Sequence, residues 1–67
     1  MNEHIVRMKA EYEELTIKVK ALNAFIHSNK TFKSLCDLEQ ARMIKQSGFM
    51  ESYKDTLEAR IWVGISD

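Results

Sequence analysis

Ile5, Met8, Tyr12, Leu15, Val19, Leu22 and Ile26 follow one another by alternating steps of three and four residues. That spacing returns every 3.5 residues, near the 3.6 of an α-helix, so all of them fall on one stripe of one helix. A strand would throw successive members onto opposite faces. Nothing nearby interrupts the pattern, because proline is absent and the two glycines lie far downstream, at Gly48 and Gly64. Glu3 stands four residues before Arg7, and Glu14 four before Lys18, the orientation that favours charge pairing along a helix. Helix 1 is therefore expected over about residues 3–27. Ala21, Ala24 and Phe25 widen its apolar face near the end, as for a helix that meets more than one neighbour.

The run His27-Ser28-Asn29-Lys30-Thr31 breaks the periodicity with side chains that compete for backbone hydrogen bonds, which predicts a turn at about 28–34. Phe32 and Leu35 are read as a short helical plug at the end of a hairpin. Asp37 and Gln40 have the spacing of a capping box. Helix 2 is expected over about 35–63. Its stripe reads Met43, Gln46, Met50, Tyr53, Leu57 and Arg60, half polar, with a second apolar line through Leu38, Ile44, Phe49 and Ile61. Gly48 is expected at a close helix approach or a slight bend. The tail Ile61-Trp62-Val63-Gly64-Ile65 is apolar on all sides and is expected to pack on a neighbouring subunit.

The fold class implied is all-α: one domain over residues 1–67, an antiparallel two-helix hairpin. A chain of 67 residues buries little core, and small chains need a staple. One cysteine, Cys36, excludes an internal disulfide, and His4 and His27 lack zinc-ligand spacing, so no metal site is expected. Self-association remains, giving an oligomeric helical bundle: a homo-oligomer, dimer or larger. Ten basic residues against ten acidic ones argue against generic nucleic-acid binding. The absence of a long apolar run argues against a membrane span. A cytoplasmic location is expected, in keeping with the unpaired cysteine.

The run Arg7-Met8, Glu11-Tyr12, Leu15, Val19, Leu22, Phe25-Ile26, followed by Gln46, Met50, Tyr53, Leu57 and Arg60-Ile61, resembles a group of very short helical proteins encoded by tailed bacteriophages, the crAss-like phages among them. The resemblance covers nearly the whole chain. Heptad spacing explains most of its letters, but the order Q-xxx-M-xx-Y-xxx-L-xx-R-I exceeds what a coiled coil demands. Ser47 and Thr56 depart from the apolar residues usual beside the second stripe. By analogy with similar compact phage proteins, the resemblance implies an anti-defence sponge. Such a protein would trap nucleotide second messengers made by cyclic-oligonucleotide or TIR-domain immune systems, in the host cytoplasm.

A hairpin turning near residue 31 sets the start of helix 1 beside the end of helix 2. Arg7, Tyr12, Tyr53 and Arg60 then become candidate ligand residues, since an Arg fork suits phosphate and a Tyr ring offers a base a stacking surface. The commoner alternative is that Arg60 pairs with Glu11 and the tyrosines fill the bundle. Gln46 reads a base edge or, more usually, fixes register. Asn29, Lys30, Thr31 and Lys33 form a second candidate anion site or simply a solvated loop. Cys36 has no evident base beside it, and a small buried side chain is the usual fate of such a residue. No catalytic constellation and no cofactor site emerge, so an enzyme is not expected. Two functions follow: a non-catalytic sponge for a cyclic oligonucleotide or cyclic ADP-ribose type of messenger, or a helical adaptor that binds protein through its apolar faces and Trp62.

Overall fold

In the computed structural model, which describes the backbone of residues 3–66 and the side chains of residues 3–64, the first stripe forms the inner face of α1 (Glu3–Ser28). Ile5, Met8 and Val19 are buried on it, and Tyr12, Leu15, Leu22 and Ile26 partly so. Glu3 pairs with Arg7 at 3.1 Å on the outside of the first turn.

Asn29 ends α1 and starts the next element. Its backbone N–H donates to the Phe25 carbonyl, while its side chain accepts from the Thr31 N–H at 2.8 Å. The result is α2 (Lys30–Ser34), a single short helix whose Phe32 is buried edge-on against Phe25, ring centroids 6.1 Å apart. This is the aromatic plug expected of the turn. Leu35 caps α2 by donating to the Phe32 carbonyl.

Next comes α3 (Asp37–Ser66), with Asp37 and Glu39 in a first turn whose dipole favours acids. The expected capping box is replaced by another device. Gln40 turns its side-chain amide back onto the Leu35 and Lys33 carbonyls, at 2.9 and 3.3 Å, tying the corner to the helix. Cys36 at this corner is exposed, against the expectation of burial.

Hydrogen bonds between the helices pair Tyr12 with Glu58 and Asn23 with both Ser47 and Glu51, so α1 and α3 run antiparallel. All the described residues but Asn29, Leu35 and Cys36 are helical, and none of them is in a strand. Together they form a slab of 48 × 15 × 13 Å. No helix among them is long and apolar enough to cross a membrane.

The face that α3 turns to α1 differs from the stripe read in the sequence. Met43, Met50 and Leu57 do face inward, but the positions between them are Ser47, Lys54 and Ile61, all buried or half-buried, with Gly64 continuing the line. Gln46, Tyr53 and Arg60 are exposed. Steps of three and of four both satisfy a helix, so the same methionines and leucine fit either set of intermediates. Of the second apolar line, only Ile61 is buried; Leu38, Ile44 and Phe49 point outward.

The seam is uneven along its length. Ile5, Met8, Leu57 and Ile61 make one apolar cluster with Tyr12 and Leu15 packed against it. Toward the turn the helices are linked by polar groups. The Ser47 hydroxyl donates to the Asn23 side-chain oxygen, and the Asn23 amide donates to Glu51 at 3.3 Å. Ser47, a departure from the apolar pattern, is thus a satisfied seam residue. Gly48 makes no close helix approach, since a Cβ placed there would meet nothing within 4 Å. The close approach is at Gly64, where a Cβ would overlap Ile5. Of the apolar tail, Ile61 packs inward and Trp62 and Val63 are exposed, while the Ile65 side chain lies outside the described residues.

Candidate ligand-binding flank

The candidate residues divide between two edges of the seam. On one edge the Tyr53 hydroxyl donates to the Glu11 carboxylate. On the other the Tyr12 hydroxyl donates to Glu58 at 3.1 Å. Tyr53 and Glu58 are five residues apart on α3, a rotation of roughly 140° at 3.6 residues per turn, so within one copy the two tyrosines lie on different edges. Tyr12 instead borders a groove with Lys9, Glu13, Glu58, Ile61 and Trp62, its charges mixed.

The Tyr53 edge gathers most of the rest. Arg60 lines an open groove of about 470 Å³ with His4, Ile5, Met8, Thr56 and Val63. Gln46 lines another, of about 320 Å³, with Arg42, Lys45, Phe49, Met50 and Tyr53. Lys45 lies 5.8 Å from the Phe49 ring centroid, within cation–π range. Arg7 reaches neither groove, being paired with Glu3 in the open. The expected Arg60–Glu11 ion pair does not form among the described residues, and Glu11 accepts from Tyr53 instead. That bond holds the Tyr53 phenol above its ordinary pKa, with partial burial and the Glu11 charge adding to the effect and Arg60 opposing it.

Arg42, Lys45 and Phe49 were not among the sequence candidates. Their signal was present. Arg42, Gln46, Phe49, Tyr53, Thr56, Arg60 and Val63 alternate in steps of four and three, each one residue ahead of a seam position. One residue turns a helix by about 100°, so α3 carries two heptad stripes side by side: one packed on α1, the other facing outward.

Charge divides the same way. The outer stripe bears Arg42 and Arg60 with Lys45 beside it, whereas Glu51 and Glu58 project to the opposite edge, where they meet α1, and Asp55 lines a groove with Glu58 there. A chain of zero net charge therefore has a cationic, aromatic-rich flank. The candidate anion site at the turn is weakened by contrast, because the Thr31 amide already donates to Asn29. Among the described residues no group of His, Cys, Asp and Glu is placed to hold a metal.

Comparison with known proteins bears on this flank. The Sequestin family model matches residues 2–63, nearly the full length and both stripes of α3. The chain belongs to the Sequestin family. It is also similar to the "Uncharacterized 7.5 kDa protein in denB-rIIB intergenic region" of Enterobacteria phage T4, 40% identical over 55 residues, which are 82% of this chain and 84% of the relative. No solved structure matches. The resemblance to short phage proteins thus holds at the level of a family, with a relative in phage T4.

Proposed function

We propose that this member of the Sequestin family is a non-catalytic phage protein that sequesters a nucleotide-derived immune messenger of the cyclic oligonucleotide or cyclic ADP-ribose type, blunting anti-phage defence in the host cytoplasm. The observation that carries the reading is the outer stripe of α3. Arg42, Lys45 and Arg60 supply cations for phosphate, Phe49 and Tyr53 supply rings for a base, and Gln46 supplies an amide for its edge. The family's name and the phage relative support it. Sequestration asks only for affinity and abundance, which cations, rings and an amide on one flank can supply.

The test is a thermal-shift and calorimetric panel of cyclic dinucleotides, cyclic trinucleotides and cyclic ADP-ribose isomers. A ligand at one hundred times its Kd stabilises the fold by ~2.7 kcal/mol, a rise of roughly 10–20 °C for a chain this small. The ligand should be recovered chemically intact after denaturation, and Arg60→Ala should abolish the shift. A flat response across the panel overturns the reading.

One observation favours the adaptor alternative. Trp62 is 64% exposed on the opposite edge, beside the Lys9, Tyr12 and Glu58 groove. Recovery of a stoichiometric host protein from infected cells, lost on Trp62→Ala, would favour that reading.

A further inference from the structure

The outer stripe of α3 is a chemical palindrome. Counted from Glu51, Phe49 and Tyr53 lie two residues to either side, Gln46 and Thr56 five, and Arg42 and Arg60 nine. Leu38 and Val63 close the two ends, thirteen and twelve residues out. Read in either direction, the order is apolar, arginine, hydrogen-bonding, aromatic. The members that could pack are uncovered, with Phe49 65%, Leu38 59%, Val63 62% and Tyr53 50% exposed.

A two-fold axis demands a surface that complements itself, residue i meeting j while j meets i. A helical stripe with 3.5-residue spacing and mirror-ordered chemistry meets that demand when two copies lie antiparallel. The angle fits as well. The inner and outer stripes stand about 100° apart on α3, close to the right angle between a helix and its two neighbours in a square four-helix bundle.

We infer that two copies of this chain pair α3 to α3 antiparallel about position 51, and that the pairing builds two identical anion sites, each joining Arg42 of one copy to Arg60 of the partner subunit. In this register Phe49 meets Tyr53 of the partner subunit at the centre, and Gln46 meets Thr56 of the partner subunit. Leu38 and Val63 lose their exposure together, while Phe49 and Tyr53 of the partner subunit keep ring faces open to the site beside them. The arginines do not complement one another. Two guanidinium groups meet at each end with Lys45 beside them, and only an anion between them relieves the repulsion. Among the described residues Glu39 is the carboxylate paired with these cations, at 3.9 Å from Arg42 with both side chains largely exposed, a weak pair that leaves the guanidinium available.

Each site also has a ring at a set distance. Phe49 lies seven residues from Arg42 and Tyr53 seven from Arg60, about 11 Å along the helix. The arginine side chain can lean along the helix to shorten that distance to what separates a phosphate from its base, and the inference rests on the sequestering reading for its ligand class. The two sites stand about 27 Å apart along α3, too far for one small ligand to bridge, so each dimer takes two.

Two experiments separate the pairing from its ligand. The first needs no nucleotide, and inorganic phosphate is present to fill the space between the facing arginines. In a Cys36→Ser background, Gln46→Cys chains are mixed with Thr56→Cys chains under mild oxidation. Disulfide dimers between the two variants are expected, with little self-linking of either. Self-linking of Gln46→Cys alone, or no cross-link with the fold intact by circular dichroism, overturns the pairing.

The second tests the shared site with cyclic ADP-ribose, or whichever panel member shifts the wild type. Arg42→Ala and Arg60→Ala chains, each inactive alone, are unfolded together, refolded and titrated. Random pairing makes half the dimers mixed, and each mixed dimer has one intact site of two, restoring about a quarter of wild-type capacity. No restoration overturns the shared site even if cross-linking succeeds. A wild type that binds nothing in the panel overturns the sequestering reading and the shared site with it, leaving the pairing to be decided by the cross-link.

Discussion

Replacing each glycine by alanine tests the fold at its two least similar points, and the expected signs are opposite. Gly48 lies inside α3, where a new Cβ meets nothing within 4 Å. Gly48→Ala therefore adds helix propensity and narrows the unfolded ensemble without disturbing packing, a gain of about 0.5–1 kcal/mol. For a chain of this size that is a rise in Tm of roughly 2–8 °C.

At Gly64 the same methyl group would overlap Ile5 Cδ1 and stand 3.3 Å from its Cγ1. Ile5 is 5% exposed and belongs to the apolar cluster with Met8, Leu57 and Ile61, so turning its Cδ1 aside into the open groove it borders would take it out of that cluster. Overpacking of this kind costs about 1–3 kcal/mol. The propensity gain offsets part of that, so Gly64→Ala should lower Tm by several degrees. Thermal melts by circular dichroism at one fixed chain concentration read both, since self-association makes Tm depend on concentration. A destabilised Gly48→Ala would refute the reasoning by showing that something covers that face of α3. A stabilised Gly64→Ala would refute the close approach of the helix ends.

Two further outcomes follow from side chains across the seam. The Tyr53 phenol, held above its ordinary pKa chiefly by its hydrogen bond to Glu11, should ionise later than free tyrosine when followed by ultraviolet absorbance, and Glu11→Gln should bring its midpoint back down. The folded state holds this proton more tightly, so the bond's contribution is complete below pH about 10 and fades as pH rises beyond it. Asn23→Ala removes the partner of the Ser47 hydroxyl, which is 9% exposed. It should cost about 1–3 kcal/mol in urea unfolding, and Ser47→Ala in the same background should recover part of that loss.

The stripe of α1 could be read from sequence because one phase alone fits it: Ile5 through Ile26 has no competing line. On α3 two phases fit. Met43, Met50 and Leu57 are compatible with Gln46, Tyr53 and Arg60 or with Ser47, Lys54 and Ile61, and local periodicity cannot choose. Burial decides. Arg60 would have to give up its hydration inside the seam, whereas Ile61 gains by burial and the half-buried Lys54 pairs with Glu51 at its edge. The candidate ligand residues come together only in part for the same reason. Gln46, Tyr53 and Arg60 do belong to one surface, but Tyr12 went to the other edge and Arg7 to solvent, because helix rotation, not sequence proximity, sets who meets whom. Arg42, Lys45 and Phe49 were passed over because the outer stripe was not seen as a heptad of its own. The Gln40 contacts to Lys33 and Leu35 depend on the path of the corner, which residue types alone do not fix.

With its two stripes one residue apart, α3 has a rival position: a roll of about 100° would press Phe49 and Tyr53 onto α1 and turn Leu57 and Ile61 outward. Apolar area alone separates the two poorly, since each stripe offers several large side chains. Arg42 and Arg60 separate them decisively. Rolling inward would strip both guanidinium groups of water, a penalty of several kcal/mol for each that finds no carboxylate across the seam. The arginines therefore act as a rotational lock on the helix, holding it in the one orientation that keeps them at the surface. Exchanging either for leucine should loosen that lock before any ligand is added, so a variant made to remove binding would also free α3 to turn.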